Sequence, residues 1–290
     1  MTRLRLWSFT ALAMIAFAAN SLLCRMALKQ TDVDAASFTF VRVLSGAIAL
    51  GVLSRVSSPS SGPAGSWTSA LALFVYAAAF SFAYLALPAG LGALLLFGAV
   101  QATMLGAGLF RRESLGSLQW IGLCAAMAGL IGLLLPGSSA PHAWASVLML
   151  LAGAAWGVYS LRGRSSRDPL HATAGNFLRA VPLAAALSVI AVFAGHSATI
   201  DSAGIAYAGA SGVLASGLGY AVWYAALRGL RSTEAAVVQL SVPVLAMLGG
   251  IAFLHESSTV GGLVASVAVL GGIAAVILGR SANRTRSVSS

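Results

Sequence analysis

The 290-residue chain is 59% hydrophobic and only 8% charged, with a formal net charge of +10. Soluble domains average roughly 45–50% apolar and about 25% charged residues, so this composition excludes a soluble globular protein and predicts an integral membrane protein. Stretches such as Ala89 to Leu109 are apolar on every side. Spanning β-strands would alternate apolar and polar residues, so the sequence predicts an all-α membrane protein.

Ten apolar runs, separated by polar or helix-breaking residues, predict ten transmembrane helices. In chain order the predicted spans are 7–26, 35–54, 68–87, 90–110, 116–135, 142–161, 171–194, 203–226, 233–253 and 260–279. The first run has an Arg-flanked start like a signal peptide, but it lacks a clear small-residue cleavage site, so we expect a retained helix. The longest connection, Ser54 to Ser66, is rich in Ser, Pro and Gly, so no loop is expected to house a catalytic domain.

The distribution of basic residues predicts the orientation of these spans. With the N-terminus inside, thirteen of the seventeen basic residues fall in cytoplasmic segments. Only Arg25 and Lys29 fall outside, while Arg42 and Arg179 lie within spans. The positive-inside rule therefore places both termini in the cytoplasm. Because the arginines are scattered over short loops, we expect them to set topology and contact anionic lipids rather than bind nucleic acid.

The second half of the chain repeats the first. Tyr84-Leu85-Ala86-Leu87 at the end of span three matches Tyr224-Ala225-Ala226-Leu227 at the end of span eight, 140 positions later. Further matches pair Gly108–Ser114 with Ile251–Ser257, Phe40-Val41-Arg42 with Phe177-Leu178-Arg179, and Ser21-Leu22 with Ser160-Leu161. An odd number of spans per repeat forces opposite orientations. The sequence thus predicts two inverted five-helix repeats, 1–137 and 138–290, around a central cavity.

The ordered set of features resembles the drug/metabolite transporter superfamily, of the type made from two EamA-like repeats. The resemblance rests on the ten spans, the Tyr-Leu-Ala-Leu and Trp-Tyr-Ala-Ala-Leu ends of spans three and eight, Pro243 in span nine, and Glu113 and Glu256 before spans five and ten. It covers the chain from about Leu12 to Leu278. It implies a carrier that exports or takes up small metabolites such as amino acids, in a bacterial-type inner membrane, through a cavity lined by both halves.

Polar and aromatic side chains near the middle of the spans are the candidates for substrate binding. Tyr76 and Phe80 lie four residues apart on one helical face, where they could stack on an apolar substrate group or form a packing seam between helices. Amides such as Gln101 could bind both charges of a zwitterion or form an interhelical hydrogen bond. The predicted substrate-binding residues are Asn20, Ser21, Tyr76, Phe80, Gln101, Trp156, Tyr159, Gln239 and Ser241.

The charged residues within or beside the spans have structural alternatives. Arg42 and Arg179 are equivalent under the repeat, and each could attract a substrate carboxylate or instead snorkel or cap helix carbonyls; we favour the structural interpretation. Glu113 and Glu256 are expected to cap the helices that follow them, with His255 an exposed loop residue. No Asp or Glu lies near the middle of any span. We therefore predict facilitated diffusion or exchange rather than proton coupling.

The motifs of an intramembrane enzyme are not met. His255-Glu256 lacks a second histidine at zinc-binding spacing, no Ser or Cys has a histidine at its membrane level, and no acidic cluster could bind Mg²⁺. We predict a secondary transporter of neutral or aromatic amino acids, without cofactor or obligatory protein partner. Export of lipophilic drugs or other metabolites, a channel, and the permease half of an ATP-driven importer stay open as alternatives.

Overall fold

The computed structural model describes residues 2–57, 64–110, 117–134, 142–163, 166, 168–195, 198–230, 238–257, 263–264 and 266–275. Within these ranges the chain is helical and forms ten main helices. They are α1 (Arg3–Gln30), α2 (Ala35–Ser57), α3 (Trp67–Ala83), α4 (Ala89–Phe110), α5 (Ser117–Leu134), α6 (Ala143–Gly163), α7 (Pro169–Phe193), α8 (Ser202–Leu227), α9 (Ser241–Leu254) and α10 (Ser266–Ala275).

Six of these helices, α1, α2, α4, α6, α7 and α8, are long and apolar enough to cross a membrane, and α3, α9 and α10 are shorter apolar helices. The chain is therefore a multi-pass helical membrane protein. Each of the ten predicted spans coincides with a helix. The predicted start of span nine and both predicted ends of span ten lie outside the described residues. Helix α3 ends at Ala83, four residues earlier than predicted, because the chain turns before Pro88.

Carboxylates at helix starts determine where several helices begin. Asp34, Asp168 and Asp201 each accept hydrogen bonds from backbone amides two or three residues further on, at 2.9–3.2 Å. The first amides of a helix have no partner within it, and the hydrocarbon of a membrane offers none. These three carboxylates are therefore committed to backbone amides at helix ends.

The main packing interfaces join helices of the N-terminal half to helices of the C-terminal half. Helix α2 packs on α7, α3 on α6, α4 on both α6 and α9, and α1 on α8 and α9. Glycines permit the closest approaches, since a Cβ added at Gly153 of α6 would lie 2.4 Å from the carbonyl oxygen of Leu96 in α4. Small residues at such crossings let backbones approach closely. The protein core is consequently formed between the two halves.

Helix α8 contains a π-helical segment, Ser211–Leu218, which the sequence analysis did not predict. A Cβ added at Gly212 in this segment would lie 2.0 Å from Ser45 Oγ and 2.2 Å from the carbonyl oxygen of Arg42, both in α2. Glycine is therefore needed there for contact between α8 and α2. Widened turns of this kind occur frequently at functional sites.

Contacts between helix termini define two ends of the bundle. At one, here called the first end, the Ser66 amide before α3 donates to Asn176 Oδ1 near the start of α7 at 2.8 Å. At the other, the second end, Lys29 of α1 donates to the carbonyl of Leu254, the last residue of α9, at 3.1 Å. The starts of α2 and α8 also meet at the second end, where the Thr199 amide donates to Asp34 Oδ2. Helices α1, α3, α7 and α9 therefore run from the first end to the second, and α2 and α8 run in the opposite direction.

Candidate functional site

A small cavity lies in the centre of the bundle, between α1, α3, α4, α6 and α8. Its volume is about 20 Å³, which accommodates roughly one water molecule. Pockets that hold drug-sized ligands measure about 300–1,000 Å³, so in this conformation the cavity is too small for such a ligand. The lining residues are Phe17, Asn20, Ser21, Tyr76, Phe80, Leu96, Phe97, Trp156, Ala215 and Tyr220.

Five rings around the cavity form what we call the aromatic cage: Phe17, Tyr76, Phe80, Trp156 and Tyr220. The Trp156 ring centroid lies 4.9 Å from that of Tyr76 and 5.0 Å from that of Tyr220. Tyr76 and Phe80 are 5.5 Å apart, and Phe17 and Tyr220 are 6.0 Å apart. All five are buried. Contacts at these distances stabilise aromatic pairs beyond their burial alone, so the cage is a defined set of flat apolar walls.

A chain of buried hydrogen bonds crosses the wall of the cavity and joins four helices. Ser211 Oγ of α8 donates to Asn20 Oδ1 of α1 at 2.7 Å, and Asn20 Nδ2 donates to the Tyr76 hydroxyl of α3 at 3.1 Å. Arg42 Nη2 of α2 donates to the same hydroxyl at 2.8 Å. The Tyr76 oxygen therefore accepts two hydrogen bonds, one of them from a charged donor.

Arg42 lies against the cavity wall rather than at the membrane surface. It is only 2% exposed. Its guanidinium carbon is 5.1 Å from the centroid of the Tyr76 ring and 4.8 Å from that of Phe80. The favoured interpretation, snorkelling or carbonyl capping, does not fit this residue, because its described hydrogen bond goes to a tyrosine hydroxyl. Its Nη1 atom is buried without a hydrogen-bond partner among the described residues.

Arg179, the repeat equivalent of Arg42, does cap carbonyls. Its Nη1 donates to the carbonyl oxygens of Ala64 at 2.7 Å and Gly175 at 2.9 Å, at the first end of the bundle. The structural interpretation fits Arg179. The two equivalent arginines therefore occupy different environments in this conformation.

Five of the nine predicted substrate-binding residues line the cavity: Asn20, Ser21, Tyr76, Phe80 and Trp156. Tyr159 lies behind the cavity wall, with its ring centroid 5.4 Å from that of Trp156 and its hydroxyl 3.5 Å from Asn176 Nδ2. The structure thus brings α1, α3 and α6 together at the cavity.

The structure does not place the other three predicted residues in the cavity lining. Gln101 is buried in α4 one turn beyond Phe97, and its Nε2 atom has no partner among the described residues. Gln239 is partly buried just before α9, and Ser241, the first residue of α9, is exposed. The Ser241 hydroxyl donates to the carbonyl of Val238 at 2.6 Å, so it serves the backbone near Pro243 rather than the cavity.

The cavity lining also contains five residues that the sequence analysis did not select. Two of them could have been identified from the internal repeat, because they are equivalent to predicted residues. Tyr220 follows Phe80 by 140 positions, the same offset that relates Tyr84 to Tyr224, and Phe17 precedes Trp156 by the 139 positions that separate Ser21 from Ser160. The other three, Leu96, Phe97 and Ala215, are apolar residues in apolar helices, which no sequence pattern distinguishes from lipid-facing residues.

At the second end a partly buried ion pair joins four helix ends; we call it the second-end cluster. Arg25 Nε lies 3.0 Å from Glu256 Oε1. Arg25 Nη1 donates to the carbonyls of Tyr84 at 2.7 Å and Leu85 at 3.0 Å, and Glu256 Oε2 accepts from the Ala89 amide at 2.8 Å. The cluster thus joins α1, the end of α3, the start of α4 and the segment after α9.

Glu256 was predicted to cap the helix that follows it, and the start of that helix lies outside the described residues. In the described part of the chain its carboxylate caps the start of α4. The exposed His255 before it has a left-handed conformation, with φ of 53°, which ends α9. The corresponding prediction for Glu113 lies outside the described residues.

Comparisons with known proteins agree with this architecture. The sequence model described as the EamA-like transporter family matches residues 143–278. An uncharacterized protein of Pseudomonas aeruginosa is 56% identical over 277 residues, covering 94% of this chain and 96% of its own length. One solved crystal structure is 21% identical, covers 93% of this chain and 98% of its own, and superposes with a TM-score of 0.63. At that identity the superposition establishes a shared fold.

Proposed function

Because this chain belongs to the EamA-like transporter family, we propose that it carries neutral or aromatic amino acids across the cytoplasmic membrane by alternating access, in the direction of export. The observation that supports this proposal is the central cavity, where the aromatic cage meets a chain of buried polar groups. Aromatic walls suit an apolar or aromatic side chain, and the neighbouring hydroxyl and amide groups suit the polar end of the same molecule.

The proposal includes two inverted five-helix repeats, residues 1–137 and 138–290. Reciprocal packing supports it: α3 packs on α6 just as the equivalent α8 packs on α1, and the equivalent pairs α2–α7 and α4–α9 pack on each other. The family match over residues 143–278 falls within the second repeat. Inverted repeats are a common basis of alternating access, because the two halves can rock around a fixed central site.

The proposed orientation has the first end and both termini in the cytoplasm. Five described arginines lie at or near helix termini of the first end: Arg3, Arg5, Arg55, Arg162 and Arg228. At the second end the described basic residues are Arg25 and Lys29, and both bind partners within the protein. An excess of basic residues on cytoplasmic segments is what the positive-inside rule requires.

A carrier accounts for the geometry better than a channel does. The cavity is small, and contacts between the two halves join the helices at both ends of the bundle. A carrier exposes its site to one side at a time, so these contacts are expected to break in turn. Since the sequence places no carboxylate near the middle of a span, the proposed driving force is the gradient of the substrate itself, by facilitated diffusion or exchange.

The test is uptake of a panel of radiolabelled amino acids into proteoliposomes that contain only the purified chain, compared with empty liposomes. Trp156→Ala removes a wall of the cavity, and Trp144→Ala, at an exposed position of the same helix, is the matched control. We expect saturable uptake of neutral or aromatic amino acids that Trp156→Ala abolishes and Trp144→Ala preserves. Absence of uptake for every amino acid would refute this substrate class.

The same vesicles separate the alternative functions. If no amino acid is taken up, uptake of lipophilic drugs and nucleotide-sugars by these proteoliposomes identifies the other carrier class. Single-channel currents in planar bilayers would identify a channel, whereas a carrier turns over slowly and saturates. Uptake by the purified chain alone excludes dependence on an ATP-hydrolysing partner.

A further inference from the structure

The guanidinium of Arg42 is a buried positive charge without a compensating carboxylate. Arg42 forms no ion pair with any described carboxylate, and it is 2% exposed. Two described carboxylates have other partners, since Glu256 pairs with Arg25 and Asp34 caps α2. Burial of an unpaired charge is strongly unfavourable, and charged side chains within membrane spans mark substrate sites or relays.

Hydrogen-bond donors outnumber acceptors around this guanidinium. Arg42 Nη2 and Asn20 Nδ2 both donate to the Tyr76 oxygen, so the Tyr76 hydroxyl proton and Arg42 Nη1 have no acceptor among the described residues. Rotating the Asn20 amide by half a turn would give the Tyr76 proton an acceptor, but it would give Arg42 none. In either arrangement the site lacks a negatively charged acceptor.

The same guanidinium lies against two rings of the aromatic cage. It lies over the rings of Tyr76 and Phe80, and both rings line the cavity. Arg42 itself does not line the cavity, so a carboxylate that binds it from the cavity displaces these rings, with the rest of the ligand against Trp156 and Tyr220. Arginine favours carboxylates because two parallel N–H groups can meet two oxygens.

We propose that Arg42, assisted by the Tyr76 hydroxyl, binds the carboxylate of the transported molecule and is the main determinant of its specificity. This inference rests on the proposed transport function and names the recognised group. The described cavity lining contains no acidic side chain to pair with an ammonium group. The site consequently recognises amphipathic carboxylic acids, whether or not they carry an amino group.

The first experiment is competition against uptake of radiolabelled phenylalanine by the wild-type protein. 3-Phenylpropanoate keeps the carboxylate and lacks the amine, whereas phenylalanine amide keeps the amine and lacks the carboxylate. We expect 3-phenylpropanoate to compete about as well as unlabelled phenylalanine, and the amide at least about tenfold less well. Equal competition by the acid and the amide would overturn the inference.

The second experiment compares three arginine variants. Arg42→Met is expected to weaken apparent phenylalanine affinity by at least about tenfold, and Arg42→Lys less than Arg42→Met because it keeps the charge. Arg179→Met, at the repeat-equivalent position that caps carbonyls, is the matched control and should leave competition by the acid and the amide as in the wild type. Unchanged affinity in Arg42→Met would overturn the inference and leave the proposed transport function standing.

Thermal unfolding in detergent separates binding from a structural role. Removal of an uncompensated buried charge should leave the midpoint of Arg42→Met unchanged or raised. If Arg42 were needed for folding, the unfolding midpoints of both Arg42→Met and Arg42→Gln would fall below that of the wild type.

The same measurement applies even if the wild type takes up no amino acid. 3-Phenylpropanoate should then still raise the wild-type midpoint more than 3-phenylpropanamide does, and this difference should vanish in Arg42→Met. Equal effects of the acid and the amide on the wild type would overturn the inference independently of transport.

Discussion

Exchanging the two charges of the ion pair between Arg25 and Glu256 should not restore the stability that each single substitution removes. A simple ion pair tolerates exchange, since attraction depends only on opposite signs. In the second-end cluster each charge also serves the backbone: Arg25 binds the carbonyls of Tyr84 and Leu85, and Glu256 binds the Ala89 amide. A carboxylate at position 25 would face carbonyl oxygens, and a guanidinium at position 256 would face the positive end of α4.

The hydrogen bonds of the cluster give the expected magnitudes. Glu256→Gln keeps an oxygen for the Ala89 amide and loses one charge-assisted bond, so it should lower the free energy of unfolding by about 1.5–3 kcal/mol. Arg25→Gln also loses two bonds to carbonyls and leaves the partly buried carboxylate of Glu256 unpaired, so it should cost about 3–5 kcal/mol. The double exchange should cost at least as much as Arg25→Gln, because it introduces two repulsive contacts.

The free energy of unfolding can be measured by SDS titration in mixed micelles, with helicity as the readout. Arg3→Gln, the same substitution at an exposed position of α1, is the control and should behave as wild type. The reasoning would be refuted by a double exchange as stable as wild type. It would equally be refuted if Glu256→Gln cost more than Arg25→Gln.

Three further predictions follow from the same structure. Gly212→Ala places a methyl group 2.0 Å from Ser45 Oγ and should lower the free energy of unfolding by about 1–3 kcal/mol. The control Gly209→Ala, whose added methyl group has no atom within 4 Å, should be neutral or slightly stabilising. Equal effects of the two variants in the SDS titration would contradict the close α2–α8 contact. Gln101→Met removes a buried donor without a partner among the described residues. The same titration should therefore show a free energy of unfolding that is unchanged or about 1 kcal/mol higher. A lower free energy of unfolding would mean that the Gln101 amide forms a stabilising hydrogen bond. Initial uptake rates in proteoliposomes should be the same with and without an imposed pH gradient. Faster uptake in the presence of the gradient would contradict transport without proton coupling.

The positions of the helices could be predicted from the sequence because the cost of unsatisfied backbone groups in a membrane leaves apolar runs few alternatives to helix. The details that escaped prediction depend on contacts between distant segments. The end of α3 is held by Arg25, 59 positions earlier than Tyr84, and the π-helical segment of α8 adjoins α2 through Gly212. Neither contact leaves a local pattern in the sequence.

The candidate site was only partly predictable, because lipid is as apolar as the protein core. In a soluble helix the buried face stands out by its hydrophobicity, whereas α2 carries apolar residues on every side. The sequence therefore locates Arg42 within a span and leaves its direction open, and the structural interpretation that we favoured for both arginines fits only Arg179. Polar and aromatic residues such as Asn20 and Tyr76 are better guides, since burial of their polar atoms demands partners within the protein.

Helix α3 connects the cavity with the contacts at both ends. It is a 17-residue helix that carries Tyr76 and Phe80 in its middle. The segment before it is bound at the first end, where Ala64 accepts from Arg179 and the Ser66 amide donates to Asn176, and the turn after it is bound at the second end by Arg25. A ligand that displaces the rings of Tyr76 and Phe80 must therefore act on a short rigid element whose two flanks hold the opposite ends of the bundle. In the proposed carrier, this contiguous set of contacts is a route by which ligand binding at the cavity would affect the contacts at both ends.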